Sequence, residues 1–276
     1  MQEKRPIGIF DSGVGGLSVA VEMAHLLPYE DMIYIGDQAN VPYGPKPMER
    51  IQQLSDGITR FLLDHGAKCV VVACNTASAA SLQFLRQKYP QIPFVGMEPA
   101  IKPASERTQT GAIGVLATPA TFSGELYART VERYAEGKQV YEDTCPGLVK
   151  QIEAGELESP ETVAILQRSL EPMMAAGVDS IVLGCTHYPF VIRQISAIVG
   201  PNVQIINPAP AVARQVQTVL NTRELFARST NPGEIQLLTT GKLEELLSFL
   251  PVAKLPFKIN ASTIHWEKDI LVANGK

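Results

Sequence analysis

The stretch VVVACNTASAA, residues 70–80, indicates how this chain folds. Its apolar run ends at Ala73 and is followed at once by Cys74, Asn75 and Thr76, after which small residues favour a helix. A buried strand that ends in a polar turn before a helix is typical of parallel α/β proteins, whose strands carry functional side chains at their carboxyl ends. We therefore expect a thiol, an amide and a hydroxyl together at the end of this strand.

A second stretch, SIVLGCTHYPF at residues 180–190, repeats the pattern and ends its apolar run in Cys185, Thr186 and His187. The segments IGIFDSGVGGLSVAVE and IGVLATPATFSGELYA also align, at an offset of 106 residues (113 − 7), and the cysteines at 74 and 185 lie 111 residues apart (185 − 74). We interpret this recurrence as an internal duplication in which each cysteine ends the third strand of its own half.

The rest of the chain alternates short apolar segments with longer helical ones, which predicts a parallel α/β architecture. The apolar residues Ile51, Leu54, Ile58 and Phe61 have helical spacing. The region after residue 227 predicts one or two strands and a short helix. The strands before it are predicted in the segments PIGIF, DMIYIGD, CVVVAC, IPFVGM, GAIGVLAT, SIVLGC and VQIIN.

These patterns predict an α/β protein with two similar, flavodoxin-like parallel-sheet halves related by pseudo-twofold symmetry. The first domain is expected to take residues 1–97 and 209–276, and the second residues 98–208, with hinges near 97–100 and 207–210. Ligands of open parallel sheets bind outside the carboxyl ends of the strands. We therefore expect the active site in the cleft between the two halves.

Composition narrows the classes of function. The chain has 276 residues, 45% of them hydrophobic, and a net charge of −4, without the basic stripe that favours nucleic acid. No apolar run approaches the roughly 18 residues that cross a bilayer. The N-terminal segment MQEKRPIGIFDSG lacks the apolar core of a signal peptide. These features predict a cytoplasmic protein that binds neither membranes nor nucleic acid.

The four cysteines do not form a disulfide framework in a chain of this length, and no C-x-x-C pair is present. Only Cys185 and His187 approach the spacing of zinc ligands, so no metal site is expected. Cys69 lies inside an apolar strand and is interpreted as a core residue, and Cys145, beside a proline, as a structural one.

Two thiols on opposite sides of one small substrate suit a specific reaction. A thiol has a reference pKa of about 8.5, so modest tuning lets it hold or release a proton near neutral pH. One thiolate removes a proton from one face of a carbon, and the other thiol returns a proton to the opposite face. The carbon is inverted without a redox cofactor. Polar residues beside the cysteines and backbone N–H groups at helix N-termini can hold carboxylates.

A rival interpretation is a dinucleotide-binding loop. Gly13 and Gly15 begin the G-x-G-x-x-G fingerprint, and Asp37 supplies an acid at the expected distance. However, Ser18 replaces the third glycine, and Asp11 places a negative charge where a pyrophosphate would bind. We therefore favour a tight strand-to-helix turn, which the glycines permit.

Several candidate residues, taken one at a time, also have simpler structural interpretations. Asp11 precedes a helix, where Asp commonly serves as an N-cap, and Ser12 can share that role. His187 can be a structural histidine, Glu153 a solvated helix residue, and Tyr43 can pack on its proline-rich loop VPYGPKP. For the residues beside the cysteines we favour a role in the site.

Four motifs together, FDSGVGGLSV, VPYG, ACNTASA and GCTHYPF, resemble glutamate racemase, over about three quarters of the chain and in the expected order. The resemblance implies a cofactor-independent enzyme, without pyridoxal phosphate or metal, that interconverts L- and D-glutamate and supplies D-glutamate for peptidoglycan. It also implies a homodimer.

The resemblance also implies roles for individual residues. Cys74 and Cys185 match the two catalytic thiols, and Asp11 and His187 match residues that assist them. The first thiol would take the proton from D-glutamate and the second from L-glutamate. Glu153 matches an acid that supports the histidine. The positions that match substrate-binding residues are Asp11, Ser12, Tyr43, Gly44, Asn75, Thr76, Thr118, Thr121, Thr186 and His187.

The chain departs from the family pattern at two places, Asn207-Pro208, where Asp-Ser is common, and Lys150-Gln151, where Pro-Leu is common. Neither place carries a matched thiol. Two alternatives stay open at this point. One is a racemase for aspartate or a related acid, and the other is a non-catalytic binding protein on the same scaffold, since some relatives restrain DNA gyrase.

Overall fold

The structure, a computed structural model, describes residues 5–274. Residues 1–4, part of the segment used above to predict localisation, therefore lie outside the described residues. The chain divides into two compact units. The first takes the described residues up to Met97 and from Ala209 onward, and the second takes Glu98–Pro208.

The described chain forms strands and helices with the following bounds. The strands are β1 Ile7–Asp11, β2 Met32–Gly36, β3 Cys69–Val72, β4 Phe94–Gly96, β5 Ala112–Ala117, β6 Gln139–Asp143, β7 Ser180–Gly184, β8 Gln204–Ile206, β9 Glu234–Thr239, β10 Lys258–Glu267 and β11 Ile270–Ala273. The helices are α1 Leu17–Leu26, α2 Met48–Asp64, α3 Asn75–Lys88, α4 Ile101–Arg107, α5 Pro119–Phe122, α6 Glu125–Tyr134, α7 Leu148–Glu153, α8 Pro160–Ala175, α9 Ile192–Val199, α10 Ala209–Thr222, α11 Leu243–Ser248 and α12 Leu250–Ala253.

Each unit contains a sheet with parallel strands. The first sheet has the order β11-β10-β9-β2-β1-β3-β4, in which only β11 runs antiparallel to its neighbour, and the second has the order β6-β5-β7-β8. The strands β2-β1-β3-β4 and β6-β5-β7-β8 have the same order across the sheet: in each set, the second strand along the chain lies beside the first, followed by the third and the fourth. The predicted α/β fold with two parallel-sheet halves is therefore confirmed, and the shared order agrees with a duplication.

The central strands form because their residues are apolar without interruption, as expected for strands covered on both faces. All residues of β1, β2, β3 and β7 are buried. Helix α2 buries the predicted apolar stripe, including Ile51, Leu54, Ile58 and Phe61, in the same core cluster as Val70 of β3. This packing fixes where the strands end and hence where the polar residues after them lie.

The structure differs from the sequence prediction at several weakly patterned elements. Strand β6, which was not predicted, is an edge strand whose side chains are exposed or half-buried, so it lacks an apolar run. Helices α4 and α7 are only 7 and 6 residues long, too short for a clear periodic signal. The region after residue 227 forms three strands, β9 to β11, rather than one or two, and extends the first sheet.

A buried ion pair predicts a stability effect in the first unit. Lys68 Nζ lies 2.5 Å from Glu30 Oε2, and the two side chains are 4% and 3% exposed. Glu30 Oε1 also accepts the Ala227 N–H at 2.7 Å. Replacing Lys68 by Met leaves the carboxylate buried without its cation, and we expect a loss of about 3–5 kcal/mol in the free energy of unfolding, measured by urea denaturation.

The double variant Lys68→Met with Glu30→Gln serves as the control. Gln keeps an acceptor for Ala227 and removes the unpaired charge, so we expect it to recover most of the lost stability. A double variant as unstable as Lys68→Met would contradict this account.

Candidate active site

In the first unit, the candidate residues lie at the ends of neighbouring strands. Strands β1 and β3 pair in register, and Ser12 and Cys74 follow them closely. Cys74 caps helix α3: its Sγ accepts the Ala77 N–H at 3.4 Å and donates to Ser12 Oγ at 3.8 Å. Cys74 is 5% exposed. An amide N–H directed at sulfur stabilises a negative charge on it, which is what a proton acceptor requires.

Asp11 fixes the turn between β1 and α1. Its buried Oδ2 accepts the Gly16 N–H at 2.8 Å and the Gly13 N–H at 3.4 Å. A Cβ on Gly16 would lie 2.7 Å from the Asp11 Cβ, and the Gly16 φ is −64°. Glycine is therefore needed at position 16 for close approach to Asp11 and not for a left-handed backbone.

Helix α3 begins directly after the thiol with Asn75 and Thr76, both buried. Asn75 Oδ1 is buried and has no hydrogen-bond partner among the described residues. A buried amide oxygen without a partner is costly, so such a group in a native protein commonly awaits a ligand or a water molecule. The oxygen is an acceptor suited to an ammonium group.

Tyr43 and Gly44 follow β2 in a loop that begins with a cis Val41-Pro42 bond. The Tyr43 hydroxyl donates to Asp37 Oδ2 at 2.7 Å. Burial raises the pKa of Tyr43 well above its ordinary value, and the neighbouring Asp37 carboxylate raises it further, so the phenol stays neutral. Within residues 5–274, neither Tyr43 nor Gly44 uses its backbone N–H in a hydrogen bond. These two N–H groups remain able to bind an anion.

The surroundings of Asp37 argue against a dinucleotide-binding loop. Its side chain is fully buried, and it accepts hydrogen bonds from several side chains, including Tyr43 and Trp266. A carboxylate held in this way cannot reach a ribose hydroxyl.

In the second unit, the candidate residues occupy the equivalent strand ends. Ala117 of β5 pairs with Gly184 of β7, so Thr118 and Cys185 follow neighbouring strands. Thr118 Oγ1 lies 3.1 Å from Thr121 Oγ1. Cys185 and Thr186 are 6% and 3% exposed. This unit therefore places a thiol and hydroxyl groups at one edge of its sheet.

Cys185, His187 and Glu153 form a hydrogen-bonded chain inside the second unit. His187 Nδ1 lies 3.7 Å from Cys185 Sγ, and His187 Nε2 lies 2.5 Å from Glu153 Oε1. Burial lowers the pKa of His187, but the hydrogen bonds to Cys185 and Glu153 and their negative charges outweigh it and raise the pKa well above 6.5. Glu153 is thus not a solvated helix residue, since its side chain is 12% exposed and contacts the imidazole.

The other two cysteines have structural surroundings. Burial raises the pKa of Cys69, in the centre of the first sheet, to about 12. Burial likewise raises the pKa of Cys145 to about 12, against a smaller lowering effect of the Ser169 hydroxyl. Neither thiol is suited to lose a proton near neutral pH.

Residues 5–274 contain no group of three or more His, Cys, Asp or Glu side chains arranged to hold a metal ion. None of their helices is both long and apolar enough to span a bilayer.

The family of Asp/Glu/hydantoin racemases matches residues 18–216. The chain belongs to this family. The racemase is 48% identical to the glutamate racemase of Roseiflexus sp. (strain RS-1) over 256 residues, which are 92% of this chain and 94% of that relative. The resemblance predicted from four motifs is therefore confirmed.

Crystal structures of relatives show the same fold as this racemase. Glutamate racemase from Francisella tularensis, in complex with D-glutamate, has a TM-score of 0.81 at 28% identity and covers 96% of this chain and 98% of its own. Glutamate racemase from Escherichia coli, in complex with L-glutamate and the activator UDP-MurNAc-ala, has a TM-score of 0.81 at 30% identity. The match covers 98% of this chain and 100% of that one.

The structure groups the candidate residues of this racemase into two sets, one in each unit. The first unit carries Asp11, Ser12, Tyr43, Gly44, Cys74, Asn75 and Thr76, and the second carries Thr118, Thr121, Glu153, Cys185, Thr186 and His187. Sequence reasoning missed the partners of Asp37. Trp266 donates to it from 229 residues along the chain, a separation at which no local pattern gives a signal.

The hydrogen bond between Glu153 and His187 predicts a pH effect. Replacing Glu153 by Gln removes the negative charge behind the ring, so we expect the pKa of His187 to fall, as measured by NMR titration of its imidazole. A raised folded-state pKa stabilises the protein below the unfolded value of about 6.5 and ceases to do so as pH rises through the folded value. The stability difference between wild type and variant should therefore be largest between about pH 5 and 6.5.

The matched control is Glu156→Gln, which removes an exposed charge three positions further along without a contact to the imidazole. An equal change in both variants, or none in Glu153→Gln, would show that the contact does not set the His187 pKa.

Proposed function

We propose that this protein is a glutamate racemase that converts L-glutamate to D-glutamate by proton transfer between two thiols, and so supplies D-glutamate for peptidoglycan. The observation that carries the proposal is the equivalent position of Cys74 and Cys185. Each follows the third strand of its own unit, beside the end of the first strand. One relative is in complex with D-glutamate and another with L-glutamate, which supports glutamate as the substrate.

The reaction breaks and forms one bond at the same carbon. A thiolate accepts the proton from Cα, and the electron pair of the broken C–H bond stays on the substrate as a carbanion. The second thiol then donates its proton to the opposite face, which gives the other enantiomer and a new thiolate. We assign these roles to Cys185 and Cys74 in the L to D direction, with the roles reversed for D to L. The proposal requires both sulfurs to reach opposite faces of one carbon.

The surroundings of the two thiols support this assignment. Next to Cys185, the imidazole of His187 has a raised pKa and can pair with a thiolate as a cation. Next to Cys74, the donor is the Ala77 N–H at the start of a 14-residue helix, whose N-terminal dipole favours negative charge. Each sulfur therefore has its own means of bearing a charge.

The main barrier is the weak acidity of Cα–H beside an ionised carboxylate, so donors must stabilise the developing negative charge. We assign this task to the backbone N–H groups at the start of α3 and to the hydroxyls of Thr118, Thr121 and Thr186. The unpartnered Oδ1 of Asn75 accepts from the substrate ammonium. The free N–H groups of Tyr43 and Gly44 bind a carboxylate.

The proposed reaction balances without an electron acceptor, since one proton leaves and one returns. We also propose, as the resemblance to glutamate racemase implies, that the enzyme works without pyridoxal phosphate or a metal ion. We also propose that it acts in the cytoplasm as a homodimer. Sedimentation of the purified protein tests the oligomeric state.

The two-thiol reaction predicts that each catalytic cysteine is indispensable. Cys74→Ser and Cys185→Ser should each lower kcat by at least about 10³-fold in both directions, because a serine hydroxyl cannot ionise near neutral pH. Circular dichroism of the glutamate solution at fixed wavelength follows racemisation directly, and calorimetry measures whether glutamate still binds.

Cys69→Ala is the matched control, because it removes a buried thiol of the strand that leads to Cys74. It should retain wild-type kcat within about threefold, since this thiol does not take part in the reaction. Wild-type turnover in either serine variant would rule out the two-thiol scheme.

Solvent isotope gives an independent prediction. In D₂O, the product enantiomer should carry deuterium at Cα, because the donating thiol exchanges its proton with solvent before it reacts. The remaining substrate should keep its hydrogen during the first few per cent of conversion, because the thiol that removes this hydrogen is not the thiol that delivers deuterium. Mass spectrometry after chiral separation measures both. Product without deuterium, or substrate that exchanges before it racemises, would contradict two separate proton carriers.

A further inference from the structure

Asp37 is a buried carboxylate for which the proposed reaction has no use. It follows β2 and is 0% exposed. Four side-chain donors reach it: Tyr43 Oη at 2.7 Å on Oδ2, and on Oδ1 Thr240 Oγ1 at 2.8 Å, Trp266 Nε1 at 2.8 Å and Asn40 Nδ2 at 3.1 Å. A carboxylate has about four acceptor sites, so the donors match them in number, although three of the four reach Oδ1.

The donors come from three separate parts of the first unit. Asn40 and Tyr43 lie in the segment after β2, Thr240 directly follows β9, and Trp266 lies on β10. All four are neutral, and no Lys, Arg or His of residues 5–274 forms an ion pair with Asp37. A buried charge without a counter-ion is costly, and multiple hydrogen bonds offset that cost only while all of them are in place.

Asp37 also contacts the candidate site directly. Its backbone N–H donates to the Asp11 carbonyl at 3.0 Å. Tyr43, which it holds, belongs to the same core cluster as Cys74, and the ring of Trp266 packs against that cluster. A displacement of the Asp37 carboxylate would therefore move Tyr43 relative to the first thiol.

From these contacts we infer that Asp37 is a positioning residue, which holds Tyr43 and Gly44 in place for substrate binding, and that Trp266 of strand β10 acts through it. This inference rests on the proposed function, because it assigns Tyr43 and Gly44 to the substrate. The Tyr43 hydroxyl is committed to Asp37, so the loop presents its backbone N–H groups to a substrate carboxylate and not the phenol.

The direct test is Trp266→Phe, which removes the indole N–H and keeps an aromatic ring. We expect KM for both enantiomers to rise about fivefold to tenfold, with kcat changed less than about twofold, because the loop binds ground state and transition state alike. Asp37→Asn should raise KM further, since it replaces a carboxylate oxygen by a group that cannot accept the phenol proton.

A double-mutant cycle separates positioning from a merely structural effect. In a Tyr43→Phe background, the phenol no longer binds Asp37, so Trp266→Phe should raise KM by less than about twofold more. If the two effects on KM multiply, Trp266 does not act through Tyr43, and the inference is overturned. Leu220→Ala, a buried residue of α10 outside the core cluster that contains Tyr43 and Cys74, should destabilise the first unit and leave KM unchanged.

Trp266 is the only tryptophan in the chain, so its indole N–H gives a single, unambiguous NMR cross-peak. The cross-peak should shift in Asp37→Asn, which reports the bond independently of activity. Wild-type turnover combined with an unchanged KM in Trp266→Phe would refute the positioning role and leave the racemase proposal intact. A wild-type protein that does not racemise glutamate would instead refute the proposed function.

Discussion

Both sets of candidate residues depend on a constraint of parallel sheets: the first and third strands lie side by side, while the helices after them go to different faces. In the first unit, α1 packs with α10 and α3 packs with α2. The chain therefore diverges after β1 and β3 and leaves backbone groups and side chains open between the two departing helices. Cys74 lies at this point in the first unit, and the shared strand order puts Cys185 at its counterpart in the second.

The two thiols differ in what surrounds them, although the strands before them are equivalent. Cys74 contacts a hydroxyl and a backbone N–H, whereas Cys185 contacts an imidazole that is itself held by Glu153. The proposed reaction requires each sulfur to be an acid in one direction and a base in the other. The equivalent strand ends therefore carry two different surroundings, each of which can stabilise a thiolate.

The sequence locates the strand ends that carry the two candidate thiols, because each thiol follows consecutive apolar residues, which a buried parallel strand requires. The same property locates β1, β2, β3 and β7. It does not locate β6, which is an edge strand with partly exposed side chains. It also does not locate α4 and α7, which have fewer than two full helical turns. It also gives no indication that Asp37 binds Tyr43 and Trp266, because contacts between distant segments follow from sheet order and not from local pattern.

The sheet order explains why the first unit needs the end of the chain. After α10, strand β9 pairs with β2, and β10 pairs with β9. The pairing brings Thr240 and Trp266 to Asp37 at the end of β2, beside the loop that carries Tyr43. Without these strands, Asn40 and Tyr43 would be the only side-chain donors to Asp37 among residues 5–274, and its carboxylate would have to be solvated. The C-terminal strands therefore complete the environment of the first set of candidate residues, although none of them carries a residue of that set.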